Sequence, residues 1–536
     1  MKNKVRKNKL RKFFAGHKIA ILLVAAIIVQ TLIYVKVGID KSYIHMDEAY
    51  SLGLASYDKV EIQDNEDFYD NWHDGEYYED YLAVNDDEMG DFAPVYNNQR
   101  DDVHPPLYYL ILRVAMMASP NHFTKWGGII INIVIYALIT ILAYLIILKL
   151  MGGKENDKTK ALALAFVSSI TLAALTNVAY IRMYALATLN IMIITYLHMK
   201  LYEKYSKRTL VGICIMALIG SLTHYFFLFY LAMLFVIMVV HYIRRKEWRQ
   251  IASYLASLVV AAAVSLAIFP YSIQHMFFGY RGDGVISKLT NFANYPDYLS
   301  NIGTYFGIVQ VYAFNSMLIA LIVLIIGLYV YRLVRGIKTQ VKYSPYFKLI
   351  ALPTAFYTLL VAVSSPWIEL RYIMPVCALI FIAIIYWWWQ LLKSVTKVKI
   401  ATWGFYILLI VTAVLPMIIG PEPQVVYSDK REIVSQVQGE LNVPTVFWFN
   451  SHDNRFLDDI LLFSLLNESY VAKDTTLDDA TIQKILEGRD LSRGILVFIN
   501  GGQQNDDILK AFVDATELKS ATHLKRMNAC DIYYLQ

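Results

Sequence analysis

Cysteine is scarce: three in 536 residues. Cys214 and Cys377 fall in apolar runs and Cys530 lies near the C-terminus, so neither a disulfide framework nor a cysteine metal site fits, and all three read as packing residues. There is no internal repeat, no low-complexity tract and no nucleotide-binding glycine pattern; Asn500-Gly501-Gly502 reads as a turn after a strand. Basic residues occur in short groups between apolar segments, which leaves no footprint for nucleic acid. Arg281-Gly282-Asp283 is a chance tripeptide. No small-residue cleavage site follows the first apolar run, Ile19 to Val37, and the run is longer than the roughly 7 to 15 residues of a signal core, so it reads as a retained helix.

What the chain has instead is apolar length. At 57% hydrophobic residues it exceeds the roughly 45 to 50% of soluble domains, which identifies an integral, polytopic α-helical membrane protein. Apolar runs fall at 18–38, 124–150, 160–179, 183–202, 209–223, 224–243, 250–270, 309–332, 346–364, 371–392 and 400–420, predicting about 11 transmembrane helices. Residues 1–17 form a basic N-terminus, and the segments 149–160, 200–208, 244–249, 332–348 and 393–399 are basic too. The positive-inside rule then places the N-terminus in the cytoplasm and the C-terminus outside. Residues 107–119, which contain Arg113, are too short to span and read as an interfacial helix. A Tyr- and Asn-rich second outer loop follows at 271–306. After Gly420-Pro421-Glu422-Pro423 the composition changes: strands are expected at 443–449, 494–500 and 531–535, and helices at 456–466 and 506–516. Residues 421–536 are therefore expected to form a small extracytoplasmic α/β domain, separate from the transmembrane domain 18–420.

The first outer loop, 39–106, is the chemically dense stretch. From Asp40 to Asp102 it holds nineteen Asp or Glu against Lys41, Lys59 and Arg100. Most of these carboxylates are a solvated face. Two clusters are different because they sit beside apolar runs: His45-Met46-Asp47-Glu48 and Asp102-Val103-His104-Pro105-Pro106. Asp47 and Glu48 have no charge partner at neighbouring positions and suit a base or a cation ligand. Further polar residues lie at the outer ends of other helices: Arg182 and Tyr184 in Tyr180-Ile181-Arg182-Met183-Tyr184, His224 beside Tyr225, and Arg371 beside Tyr372. The run ending at Thr223 is short, about 21 Å of helix, which sinks the His224 turn towards the headgroup level. Arginine suits a phosphate there because of its fixed charge and forked donors. Each of these residues also has a plainer reading: helix-end anchors for Arg182 and Arg371, core packing for His45 and His224, and an interfacial aromatic belt for Tyr184, Tyr225 and Tyr372.

These motifs resemble a membrane glycosyltransferase of the GT-C class, in the protein O-mannosyltransferase-like family 39, with smaller bacterial members related to the lipid A aminoarabinose transferase. Asp47-Glu48 with Asp102-Val103-His104-Pro105-Pro106-Leu107 and Arg182-Met183-Tyr184-Ala185-Leu186 carry the resemblance, over roughly 18–393. It implies a GT-C fold and transfer of a sugar, with inversion, from a polyprenyl-phosphate carrier to a protein or envelope glycan or lipid outside the membrane. Asp47 would be the general base and Glu48 its assistant. Arg182 would hold the carrier phosphate, with Asp102, His104, Tyr184, His224 and Arg371 at the substrates. Some relatives use a divalent cation with the acidic pair, which stays open here. The chain lacks β-trefoil repeats, and the segment after Arg182 has Thr188 and Asn190 where the eukaryotic enzymes carry an acidic residue, so the acceptor stays open as well. The competing class is a transporter or flippase, which would place ionisable groups near the bilayer midplane.

Overall fold

The computed structural model describes residues 2–278, 280–290, 295–338, 340–439, 441–449, 456–473, 478–500, 505–528 and 530–536. Gly501 and Gly502, expected in a turn, lie outside the described residues. The chain divides into two compact units. The first comprises Met1–Gly38, Val103–Tyr108 and Ile129–Gln424; the second comprises Ile39–Asp102, Tyr109–Gly128 and Val425–Gln536. The acidic loop and the C-terminal segment thus belong to one unit.

The first unit is helical. All eleven apolar runs of the sequence fall on helices, but among the described residues six are long and apolar enough to cross a membrane, or up to eight if each of two bent pairs is one span. By length and composition, six to eight of the eleven expected spans qualify among the described residues. Tyr184–Glu203, Lys207–Ser221 and Lys348–Ser364 form as helices that are shorter or more polar than a full span. The run expected at 160–179 is split into Glu155–Ser168 and Leu172–Ala179, bent by 56°. The break has its own partners: Thr171 caps the second piece through Ala174 N–H, and Asn315 Oδ1 accepts from Leu172 N–H at 2.8 Å. The run at 309–332 is likewise broken, because Leu318–Val334 follows a sharp turn of 99° after Pro296–Ala313. The expected second outer loop is itself largely helical, over Ser272–Phe277, Tyr280–Thr290 and Tyr295–Ile308.

Many polar side chains inside this unit are hydrogen-bonded to other side chains or to backbone carbonyls, because an unpaired donor or acceptor in apolar surroundings costs several kcal/mol. Thr140 Oγ1 reaches Gln30 Oε1 at 2.7 Å and Ser169 Oγ at 2.8 Å, and Gln30 Nε2 donates to Tyr34 Oη at 3.0 Å. Asn132 Nδ2 donates to the carbonyls of Val178 and Tyr180 at 3.2 and 2.9 Å, which fixes the turn that leads to Arg182.

The second unit is built on a six-stranded sheet: β1 (Trp72–His73), β2 (Thr445–Phe449), β3 (Ser469–Lys473), β4 (Ile495–Asn500), β5 (Ala521–Met527) and β6 (Cys530–Leu535), in the order β1-β3-β2-β4-β6-β5. β3, β2 and β4 are parallel and the outer strands antiparallel. Every residue of β4 is buried, which is why Ile495-Leu496-Val497-Phe498-Ile499 reads as a continuous apolar run. Ile482, Ile485 and Phe512 cover one face. β1 comes from the acidic loop: Trp72 and His73 pair with Tyr470 and Ser469, and Trp72 Nε1 donates to Ile485 O at 2.9 Å. The helix expected at 456–466 is only a 3-10 turn, Phe456–Asp458, followed by Ile460–Phe463.

A polar knot lies beside this sheet, with Lys430 and Asp459 buried and Asn528 exposed. Asn528 bridges Lys430 and Asp459, accepting from Lys430 Nζ at 2.6 Å and donating to Asp459 Oδ1 at 3.0 Å. Lys430 lies 4.5 and 4.2 Å from the rings of Tyr43 and Tyr427. Burial pushes the Asp459 carboxyl up to about 7, helped by the neighbouring Asp458 charge. A carboxyl with a raised folded-state pKa stabilises below its unfolded value and loses that contribution as pH rises through the folded one. The unit should therefore lose stability from about pH 4 to about pH 7, and Asp459→Asn should flatten that slope when thermal unfolding is followed against pH. Packing supplies a second test. A Cβ at Gly53 would lie 2.0 to 2.4 Å from the buried ring of Tyr81, so Gly53→Ala should cost about 1–3 kcal/mol. Gly327→Ala, with nothing within 4 Å, should leave the melting temperature unreduced.

Candidate active site

The Asp-Glu pair opens the helix Met46–Ser56. His45 caps it: its Nδ1 accepts from Asp47 N–H at 3.0 Å, and Glu48 closes a capping box by accepting from His45 N–H at 2.7 Å. The two carboxylates then diverge. Glu48 is fully buried and meets Lys41 Nζ at 2.8 Å, with both side chains 0% exposed. Lys41, seven residues earlier, is the charge partner that neighbouring positions did not reveal. Burial pulls its pKa down while Glu48 pushes it back up. Lys41 also donates to Val425 O, and Ser42 N–H donates to Val426 O at 2.8 Å. Asp47, by contrast, is 14% exposed, with Oδ2 3.7 Å from His45 Nδ1.

The end of the acidic loop is tied back to the same helix. Asn98 Nδ2 donates to Tyr57 O at 2.7 Å, and Asp102 caps the helix Ala93–Asp101 with its N–H on Asn98 O at 2.8 Å. Tyr50 donates to Glu61 at 2.8 Å, and burial, Glu61 and the Asp102 charge together raise the Tyr50 phenol. Residues 107–119 form a helix over Leu107–Met116. Arg113 is fully buried there, donating to the carbonyls of Ala55 and Ser56 at 2.9 Å and of Glu88 at 3.1 Å.

In the first unit the structure brings together Arg371, Tyr180, Tyr184, His224 and Tyr372. Arg371 Nη1 donates to Tyr180 Oη at 3.4 Å, its Nε is 3.0 Å from Glu369, and its guanidinium lies 5.2 Å from the Tyr372 ring. The rings of Tyr180 and Tyr184 stack at 5.9 Å, and Tyr184 meets His224 at 5.6 Å. Arg182 is buried in the same turn, its N–H on Tyr180 O at 2.8 Å. His224 and His104 line one cavity of about 270 Å³ together with Tyr225, His275 and Tyr372. The Pro-Pro segment is held beside it by Leu107 N–H on Leu222 O at 3.1 Å. His275 and Tyr180 are the residues sequence reasoning missed, one an isolated His in the tyrosine-rich stretch, the other mentioned only as a neighbour of Arg182. A second cavity of about 590 Å³, lined by Tyr305, Phe347 and Trp387 among aliphatic side chains, is almost wholly apolar.

A divalent cation shared by Asp47 and Glu48 does not fit this arrangement, because Glu48 already meets an ammonium and a backbone N–H. Among the described residues no group of three or more His, Cys, Asp or Glu side chains could hold a metal ion.

No family model matches the chain, and no curated protein matches it by sequence. Among solved structures it is similar to ArnT from Cupriavidus metallidurans bound to undecaprenyl phosphate, at 10% identity over 97% of this chain and 98% of that one, with a TM-score of 0.49. It is also similar to the archaeal oligosaccharyltransferase AglB from Archaeoglobus fulgidus in complex with an inhibitory peptide and a dolichol-phosphate, at 11% identity over 94% and 72% of the chains, with a TM-score of 0.41.

Removing Lys41 would leave the buried Glu48 carboxylate without its cation, a change that costs about 3–5 kcal/mol. Lys41→Met should lower the unfolding free energy of the purified protein by that amount, and adding Glu48→Gln should restore most of it. Equal loss in the single and double variants would contradict the pairing.

Proposed function

We propose that the chain is an integral membrane glycosyltransferase that transfers a sugar from a polyprenyl-phosphate carrier, with inversion, to a protein or to an envelope glycan or lipid on the extracytoplasmic side. The observation that carries this reading is the division of labour in the acidic pair. Glu48 is buried, ion-paired and capped, whereas Asp47 keeps part of its carboxylate at the surface of its unit.

In this reading Asp47 is the general base. It takes the proton of the acceptor hydroxyl as that oxygen bonds to the anomeric carbon, while the bond from that carbon to the carrier phosphate breaks and the phosphate leaves with the electron pair. Glu48 becomes a positioning residue, since its carboxylate has no path to an acceptor. Arg182 and Arg371 carry the fixed charge that steadies the departing phosphate. Tyr184, His224 and His104 bound the donor side, and Asp102 closes the loop that bears Asp47. The apolar cavity beside Trp387 suits an isoprenoid chain. A transporter would need ionisable groups within the span; the network of Gln30, Tyr34, Thr140 and Ser169 is neutral and internally hydrogen-bonded, which favours the enzyme.

The test is label transfer from a panel of radiolabelled polyprenyl-phosphate monosaccharides by purified protein in membranes. Asp47→Asn should lower the rate by about 10²–10⁴-fold, the usual contribution of general base catalysis, without loss of folded protein. Label that crosses the bilayer without becoming covalently attached would favour the transporter instead.

A further inference from the structure

Four of the five basic segments seen in the sequence meet at one end of the first unit, where none of their residues serves the reaction proposed above. Lys149 lies in the last turn of the helix Trp126–Met151, Tyr202 and Glu203 end Tyr184–Glu203, His241 and Arg245 lie in the last turns of Phe227–Arg245, and Lys348 opens Lys348–Ser364 just after Tyr346. They touch through aromatic rings. Lys348 Nζ lies over the Tyr202 ring at 4.6 Å, and that ring meets His241 at 4.0 Å and Tyr346 at 6.3 Å. Lys149 Nζ lies over the Tyr346 ring at 5.2 Å, and Arg245 Nη1 is 3.5 Å from His241 Nε2.

The charge in this cluster does not balance. Glu203 pairs with Lys149, and Glu247 stands 3.8 Å from Arg245. Lys348 has neither an ion pair nor a hydrogen bond among the described residues; its contact is the Tyr202 ring. A ring face attracts an ammonium but brings no net charge to cancel it. Lys348 and Arg245 both act on the His241 imidazole, so their charges reach the same space. A lysine that merely anchors a helix end extends its head into water. This one lies over a ring in a cluster with two further cations, and a basic pocket between membrane helices suits a phosphate-bearing headgroup.

The surroundings decide which anion fits. Leu352, one turn after Lys348 on the same helix face, is exposed, as are Val240 and Ile243 beside His241 and Arg245. In a chain that crosses a bilayer such side chains meet hydrocarbon. A ligand with a phosphate at the cations and acyl chains along these residues satisfies both surfaces, whereas a free phosphate uses only one.

We propose that Lys149, Arg245 and Lys348, linked by Tyr202 and Tyr346, form a binding site for the phosphodiester headgroup of an anionic phospholipid in the leaflet at the basic helix ends. Lys348 supplies the uncompensated charge, and the chains of the lipid lie along Leu352, Val240 and Ile243. The site stands apart from the transfer reaction and does not depend on it.

Native mass spectrometry of the full-length protein in detergent micelles compares phosphatidylglycerol with phosphatidylcholine of matched chains. Wild type should bind phosphatidylglycerol at least tenfold more tightly. Each Lys or Arg at a membrane surface is worth about fivefold in affinity for anionic lipid, so Lys348→Gln should cut the preference about fivefold and leave phosphatidylcholine binding unchanged. Arg245→Gln should cut it in the same direction and tests the same point if Lys348→Gln does not fold. Lys399→Gln removes the same charge from the remaining basic segment and should change nothing. No preference in wild type, an unchanged preference in both cluster variants, or an equal loss in Lys399→Gln would each overturn the site. Inorganic phosphate in excess should not displace phosphatidylglycerol; displacement would assign the cluster to free phosphate and overturn the lipid.

Discussion

The second unit depends on one buried ion pair. Lys41 and Glu48 are both out of water, where the loss of hydration exceeds what their mutual attraction alone returns. They persist because each has a further partner: Glu48 accepts the His45 N–H, and Lys41 donates to the Val425 carbonyl. Three stretches of chain therefore meet at one point: the end of the first long helix, the start of the Asp-Glu helix and the beginning of the C-terminal segment. Val425 bears the strain of that meeting. It is a β-branched residue at φ +61°, in a region such side chains avoid, and Tyr427 follows at φ +54°. Arg431 adds a second tie through Ser42 Oγ at 3.1 Å and Asp40 O at 3.0 Å. Asp47 has its position because everything around it is fixed.

The first unit handles polarity in another way. Where its helices break or approach closely, neutral amides and hydroxyls donate to one another and to backbone carbonyls: Asn132 to Tyr180 O, Asn177 to Thr188, and Thr140 to Gln30. Guanidinium groups are held near tyrosines: Arg371 lies against Tyr180 and Tyr372, and Arg182 is in the turn between Tyr180 and Tyr184. Such pairing keeps a permanent cation oriented without neutralising it fully.

Much of this was legible in the sequence. Apolar runs marked the long helices of the first unit, because composition suffices when a segment must match a bilayer, but not the helices between Ser272 and Ile308. It could not tell which runs bend, since the breaks at 169–171 and 314–317 depend on remote partners such as Asn315. In the second unit β2 and β4 announced themselves through apolar runs, and β6 through Ile532 to Leu535. β3 (Ser-Tyr-Val-Ala-Lys) and the exposed edge β5 (Ala-Thr-His-Leu-Lys-Arg-Met) did not, because their pairing rather than their composition makes them strands. At the site, Asp47 and Glu48 were visible as a pair, but their opposite environments were not. Lys41 precedes Glu48 by seven residues across the non-helical stretch 41–45, so only the folded turn reveals the contact.

The two-residue strand Trp72–His73 carries a temporal implication. Its partner Tyr470 lies about 400 residues further along, beyond nearly every apolar helix of the chain. At synthesis rates of about 5–20 residues per second, the acidic loop waits roughly 20–80 s for the strand that completes its sheet. During that interval Lys41 also lacks the Val425 carbonyl. The Asp-Glu helix is therefore finished last, so a ribosome-bound or truncated chain carries the motif without the frame that holds it.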